Sequence, residues 1–233
     1  MSARKTISII TLCLLIPALV VTEYILSKGR QYYLMCLIII AVSMLPFFMS
    51  LERKRLQTRE LVITASVIAI AVASRSAFVF LPQVKPMCAV LIIAAISFGA
   101  EFGFVSGAIA MLVSNLIFGQ GMWTPFQMMG MGMTAFLCAL IIRSFKIKNR
   151  IAVGIISGTL CFAVYGAIVD LSMVFMSLSN INLKSILAVY SSGLLFNFIH
   201  GATTGAVAAL LQPPINEKLE RIKIKYGIFG EKK

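Results

Sequence analysis

Residues 63–78 read "ITASVIAIAVASRSAF". With Leu61 and Val62 before it and Val79 and Phe80 after it, the run reaches the roughly 20 apolar residues needed to cross a bilayer. Ala65, Ala69, Ala73 and Ala77 recur every fourth residue, which places them on one face of a helix. Small residues at that spacing let another helix come close, in a solvent where packing drives association. The face serves either internal packing or the docking of a separate subunit. Arg75 is costly to hold in hydrocarbon, and such a residue faces a cavity or a partner. The stretch therefore predicts a membrane helix with a small-residue face and one embedded cation.

The rest of the chain has the same character. Of 233 residues, 60% are hydrophobic and 12% charged, against about 25% charged in soluble domains. Eight candidate spans follow: Ile7–Leu26, Tyr32–Met49, Leu61–Phe80, Met87–Phe98, Phe104–Phe118, Phe126–Ile142, Ile151–Ser177 and Ile186–Leu211. The fourth and fifth are short and joined by "GAEFG", which predicts a broken or tilted element. The expected fold is an all-α polytopic helical bundle in the membrane, with no room for a separate soluble domain. The first span lacks an A-x-A cleavage pattern and leads into a second, so it reads as a retained helix and not as a signal peptide.

The net charge of +13 does not point to nucleic acid, because the basic residues flank apolar helices and line no continuous polar face. They set orientation instead. With a cytoplasmic N-terminus, sixteen Lys and Arg fall inside, four (Lys28, Arg30, Lys85, Lys184) fall outside, and Arg75 lies within a span. That bias places both termini in the cytoplasm. Cys13, Cys36, Cys88, Cys138 and Cys161 are scattered singly in apolar runs and read as small hydrophobes, with no metal site and no cofactor.

The basic stretch "LERKRLQTRE" (51–60) divides the chain. Residues 1–58 hold two plain helices and a cytoplasmic loop, 59–211 a six-helix core, and 212–233 a basic tail. The polar residues of the core carry the function. Arg75 and Asp170 lie toward the outer side, as an ion pair or as ligand contacts; Asn115, Asn197 and His200 fall nearer the middle. A lone buried His most often bonds a neighbour. No carboxylate pair, Ser-His-Asp set or phosphate loop occurs, which argues against an enzyme.

The outside turn "FGQGMWTPFQMMGMGM" (118–133) contains Trp123, the single tryptophan. Gly119 and Gly121 permit a sharp reversal, and Pro125 suits the first turn of the next helix. Trp123 reads as an interfacial anchor or a ligand contact. Gln120 and Gln127 bring amides, and Met128, Met129, Met131 and Met133 an adaptable apolar wall. Together they suit a flat, partly polar ring system. The other outside turns add Gln83, Lys85, Asn180 and Asn182, completing a polar lid.

Residues 60–211 resemble the substrate-binding S component of energy-coupling factor (ECF) vitamin transporters. The resemblance rests on the alanine helix, on "VKPMCAVLIIAAISFGAEFGFVSG" (84–107) and on "VSNLIFGQGMWTPFQMMGMGM" (113–133), and covers about two thirds of the chain. The last stretch is similar to "FGQGPWTPWQM" in a group of bacterial S components, some linked to cobalamin; Met122 and Phe126 replace a proline and a tryptophan. The resemblance implies a bacterial plasma-membrane receptor for a vitamin, with a corrinoid as first expectation. It also implies a membrane scaffold subunit docked on the alanine face and two cytoplasmic ATPases. The rival reading is an ion-coupled secondary carrier, with Arg75, Asp170 and His200 as its relay.

Overall fold

The computed structural model describes residues 57–177 and 182–229, with scattered positions between 38 and 49. The first expected span, most of the second, Cys13, Cys36, Arg53 to Arg55 and Asn180 lie outside the described residues. From residue 57 on, seven α-helices follow in order: α1 (Thr58–Ala77), α2 (Met87–Phe98), α3 (Ala100–Phe118), α4 (Thr124–Ser144), α5 (Arg150–Leu160), α6 (Gly166–Ser177) and α7 (Leu183–Tyr226). A π-helical turn, Cys161–Tyr165, joins α5 to α6 in one rod. Counting that rod once, five helices among the described residues are long and apolar enough to cross a membrane. Among the described residues there is no strand. The chain is an all-α polytopic membrane bundle.

α2 departs from a simple eight-span reading. Its 12 residues rise about 18 Å, short of the roughly 30 Å hydrocarbon thickness. It is nevertheless the bundle's axis, with Cys88, Leu91, Ile92 and Ile93 fully buried. Pro86 opens it and Gly99, at φ +116°, ends it. That backbone conformation suits glycine alone, so the break expected in "GAEFG" falls on its first residue and α3 starts at Ala100.

Two crossings of small residues hold the helices together. α3 and α4 meet so closely that a Cβ on Gly132 would lie 2.8 Å from the Phe104 carbonyl oxygen. α5 and α7 cross through reciprocal Gly-x-x-x-Gly pairs: a Cβ on Gly154 would meet the Gly205 oxygen at 2.7 Å, and one on Gly158 the Gly201 oxygen at 2.9 Å. Backbone contact of this kind is what small-xxx-small spacing provides in lipid. Met44, with Ile40 and Phe48, packs on Phe104, Val105 and Ala108 of α3 and on the methionines of α4. The described part of the second expected span thus covers the α3–α4 face.

One end of the bundle is basic, with Arg59, Arg143, Lys146, Lys148, Arg150, Lys218, Arg221, Lys223 and Lys225 at its helix ends. It is also tied together. Arg143 donates to the Ile96 and Ser97 carbonyls at 2.9 and 3.2 Å, and Lys223 donates to Ser97 O at 3.2 Å. Buried Glu60 accepts the Gln57 and Phe229 backbone N–H groups at 2.8 and 2.6 Å. These ties explain why α7 runs on past its expected end near Leu211, through Pro213 and Pro214 to Tyr226. An internal proline costs about 3 kcal/mol through its lost N–H and its clash with the preceding turn. Bonds made beyond the prolines, including Ser97 Oγ to Asn216 Oδ1 at 3.2 Å, offset that cost.

Candidate ligand-binding site

At the opposite end, α3 and α4 are joined by residues 119–123. Gly119, at φ +106°, reverses the chain. Pro125 lies in the first turn of α4, where its missing N–H costs nothing. Trp123 folds back over its own turn: a Cβ on Gly121 would come within 2.5 Å of the indole. The ring remains 37% exposed, so it forms a flat ledge on the bundle end. Thr124 Oγ1 accepts from Gly121 N at 3.2 Å and donates to Gln120 Oε1 at 2.9 Å. Gln120 Nε2 donates to Leu112 O at 3.0 Å, closing the turn.

Beneath the ledge lies Asn115, only 1% exposed. Its Nδ2 donates to Gln127 Oε1 at 2.7 Å and to Thr124 Oγ1 at 3.1 Å, and its Oδ1 accepts from Arg75 Nη1 at 3.1 Å. Arg75 Nη1 also donates to Ser114 Oγ at 2.7 Å, and the guanidinium sits 4.7 Å from the Phe118 ring centre. A buried amide with donors and acceptor all engaged is rigid, because any one partner's loss leaves a desolvated group. Arg75, Asn115, Gln120, Trp123 and Gln127 therefore form one polar platform spanning α1, α3 and α4. Met128, next to Gln127, packs partly buried against the apolar core.

Lys85 lies just before α2 and donates to Gln83 Oε1 at 3.1 Å; Gln83 itself has φ +59°. Burial, and then the nearby Arg75 charge, lower the Lys85 ammonium to about 8. Asp170 stands apart from this group. Its Oδ2 accepts from Asn197 Nδ2 at 2.7 Å, and it forms no ion pair with Arg75. Gly193 makes room for it, since a Cβ there would fall 2.6 Å from the carboxylate. The structure thus divides the sequence-derived site into the platform with its Lys85–Gln83 flank, and a separate Asp170–Asn197 pair on α6 and α7. His200 stacks edge-on against Tyr165 with centroids 4.9 Å apart, and its Nε2 has no hydrogen-bond partner among the described residues.

Ser114, Thr124 and Phe118 were not singled out from the sequence, although they hold Arg75 and Asn115 in place. Their only sequence signal is proximity to Asn115 and Trp123. Cys88, Cys138 and Cys161 are free and buried, and no three metal-binding side chains converge among the described residues. Ala65, Ala69, Ala73 and Ala77 are exposed along α1, while Thr64, Val67, Ile68, Ala71 and Val72 face the core. An apolar cavity of about 540 Å³ opens between α5 and α7, lined by Gly154, Gly158, Phe162, Phe198 and Gly201. It offers almost no polar group to orient a ligand, whereas the platform offers several.

Among the described residues the chain is a multi-helix membrane bundle with a polar, aromatic-capped platform at one end. The family model described as "ECF-type riboflavin transporter, S component" matches residues 55–217, and the chain belongs to that family of transport components. The match starts within the basic stretch and covers α1 to α6 and all of α7 but its far end. None of the curated proteins and none of the solved structures compared with the chain matches it.

Proposed function

We propose that the protein is the substrate-binding subunit of an ECF-type importer and captures a vitamin at the platform end. The observation that supports this most is the platform itself: Arg75, Asn115, Gln127 and Trp123 converge at the end away from the basic cluster. The basic end faces the cytoplasm, as the distribution of lysine and arginine favours, so the platform meets the exterior. The exposed alanine face of α1 takes the membrane scaffold subunit, and two ATPases supply the energy. The family description names riboflavin, and a flat tricyclic ring fits a ledge of indole, amides and thioethers. The turn "GQGMWTPFQM" favours a corrinoid as the second reading.

Mass spectrometry of the small molecule that copurifies in mild detergent tests the proposal and separates the two ring systems. A flavin or a corrinoid is the expected result. Uptake by the protein alone in liposomes, collapsed by an uncoupler, would instead establish the ion-coupled carrier.

A further inference from the structure

We propose that the furrow between α5 and α7 is a lipid site, which holds one acyl chain of an anionic phospholipid with the headgroup phosphate against Lys148 and Arg150. The furrow, about 540 Å³ in volume, shares no residue with the platform. Its floor is the backbone of the Gly154–Gly205 and Gly158–Gly201 pairs, whose small size is already engaged in joining the two helices. It opens outward, because Ile151, Ile155 and Phe198 on its edges are 61%, 64% and 62% exposed. Among its lining residues only Thr159 carries a polar side chain. Both helices belong to elements long and apolar enough to cross a membrane, so what meets this surface is an acyl chain or a helix of another protein. Width favours the chain. Packed helices lie about 8–10 Å axis to axis, and glycine contact holds this pair at the near end of that range. A third helix, about 10–12 Å across with its side chains, would rest on the walls and leave the floor without contacts, whereas a single hydrocarbon chain reaches it.

Length and charge point the same way. Ile151 and Ala209 line one end of the furrow, and Phe162 and Phe198 the other. On each helix about 16 Å of rise separates the two ends, close to half of the roughly 30 Å hydrocarbon thickness and so to the depth of one leaflet. The Ile151–Ala209 end lies at the basic end of the bundle. Arg150 adjoins Ile151 there, and Lys146 and Lys148 occupy the turn between α4 and α5; all three are exposed. None of them makes an ion pair among the described residues, while Glu217 and Glu220 of α7 are engaged by Arg221 and Lys223. Cations at the headgroup level beside an apolar furrow one leaflet deep complement an anionic lipid.

The test is native mass spectrometry of the full-length protein in detergent, titrated with phosphatidylglycerol and with phosphatidylcholine of the same two chains. One phosphatidylglycerol is expected to bind at least about tenfold tighter than phosphatidylcholine, the effect of two cations beside an anionic headgroup. Lys148→Gln combined with Arg150→Gln brings the two lipids to within about twofold of each other. Ala202→Trp, which fills the furrow from an exposed position on its wall, removes tight binding of both. Leu116→Trp, on the exposed face of α3, leaves both unchanged. Because Lys148 and Arg150 are exposed, their double variant keeps the claim testable even if Ala202→Trp fails to fold. Phosphatidylcholine bound as tightly as phosphatidylglycerol, or tight phosphatidylglycerol binding that survives both variants, overturns the proposal. So does a copurifying subunit that Ala202→Trp displaces while lipid binding stays unchanged, which would give the furrow to a partner helix.

Discussion

Replacing Asn115 by alanine removes three hydrogen bonds at once, to Gln127, Thr124 and Arg75. Two are neutral, worth about 1 kcal/mol each, and one is charge-assisted, worth about 2 kcal/mol. Arg75 keeps Ser114 at 2.7 Å, so part of the last contribution is recovered, leaving a loss of about 3 kcal/mol. For a chain of this size that lowers the melting temperature by roughly 6–12 °C. Gln127→Ala breaks only the 2.7 Å bond and lowers it by roughly 2–4 °C. Since both variants lose that same bond, the double variant falls short of the summed losses by about 1 kcal/mol. Trp123 fluorescence reads the transition at the platform without a bound ligand, because it is the chain's single tryptophan. Strict additivity, or an Asn115→Ala loss no larger than that of Gln127→Ala, would refute the claim that Asn115 is the hub.

Ala69→Trp on the exposed face of α1 is expected to abolish energised vitamin uptake in vesicles holding the whole importer while leaving binding by the purified subunit unchanged; normal uptake would remove the docking proposal. Trp123→Ala should weaken ligand retention by about tenfold, as loss of a stacking contact implies, with expression unchanged; equal losses in both would mark the indole as an anchor only. Gly205→Leu forces a side chain where a Cβ already lies 2.8 Å from the Gly154 oxygen, so it should lower yield and melting temperature, and a stable variant would show that α5 and α7 can separate freely. Lys85, held at about 8 in the folded protein against an ordinary 10.5, binds fewer protons there than in the unfolded chain between those values. Ligand-free stability therefore rises with pH across that window, Lys85→Met flattens the rise, and a fall in melting temperature over the same range would contradict the sign.

The helices were legible because hydrocarbon imposes one simple requirement, an apolar run of sufficient length, and α1, α3, α4 and α7 meet it in plain view. What escaped were features set by partners distant in sequence. Nothing in "GTLCFAVYGA" (158–167) announces a π turn, which depends on how α5 and α6 pack against α7. The last apolar run ends at Leu211, but the bonds of Asn216 and Lys223 to Ser97 carry the helix on through Pro213 and Pro214. At the site, Arg75, Asn115 and Gln127 stood out as polar residues in apolar surroundings. Their union, and the separation of Asp170 from Arg75, required the third dimension: a buried charge advertises its need for a partner, not which partner it has.

Three of the small-residue stripes illustrate how far such patterns can be taken. By spacing alone, Ala65/Ala69/Ala73, Gly103/Gly107 and Gly154/Gly158 make equivalent claims to helix association. In the fold these two glycine stripes are used internally: Gly107 would place a Cβ 3.0 Å from the Met131 oxygen, and Gly158 one 2.9 Å from the Gly201 oxygen. Contacts that close are inaccessible to alanine and would be lost if the helices parted, which suits permanent packing. The alanine stripe lies exposed on the surface of α1. Its methyl groups keep a partner helix slightly further off, where attraction is weaker and release less costly. On the proposal that the α1 face docks a scaffold subunit, that weaker contact suits binding followed by release, whereas the glycine contacts suit permanent packing.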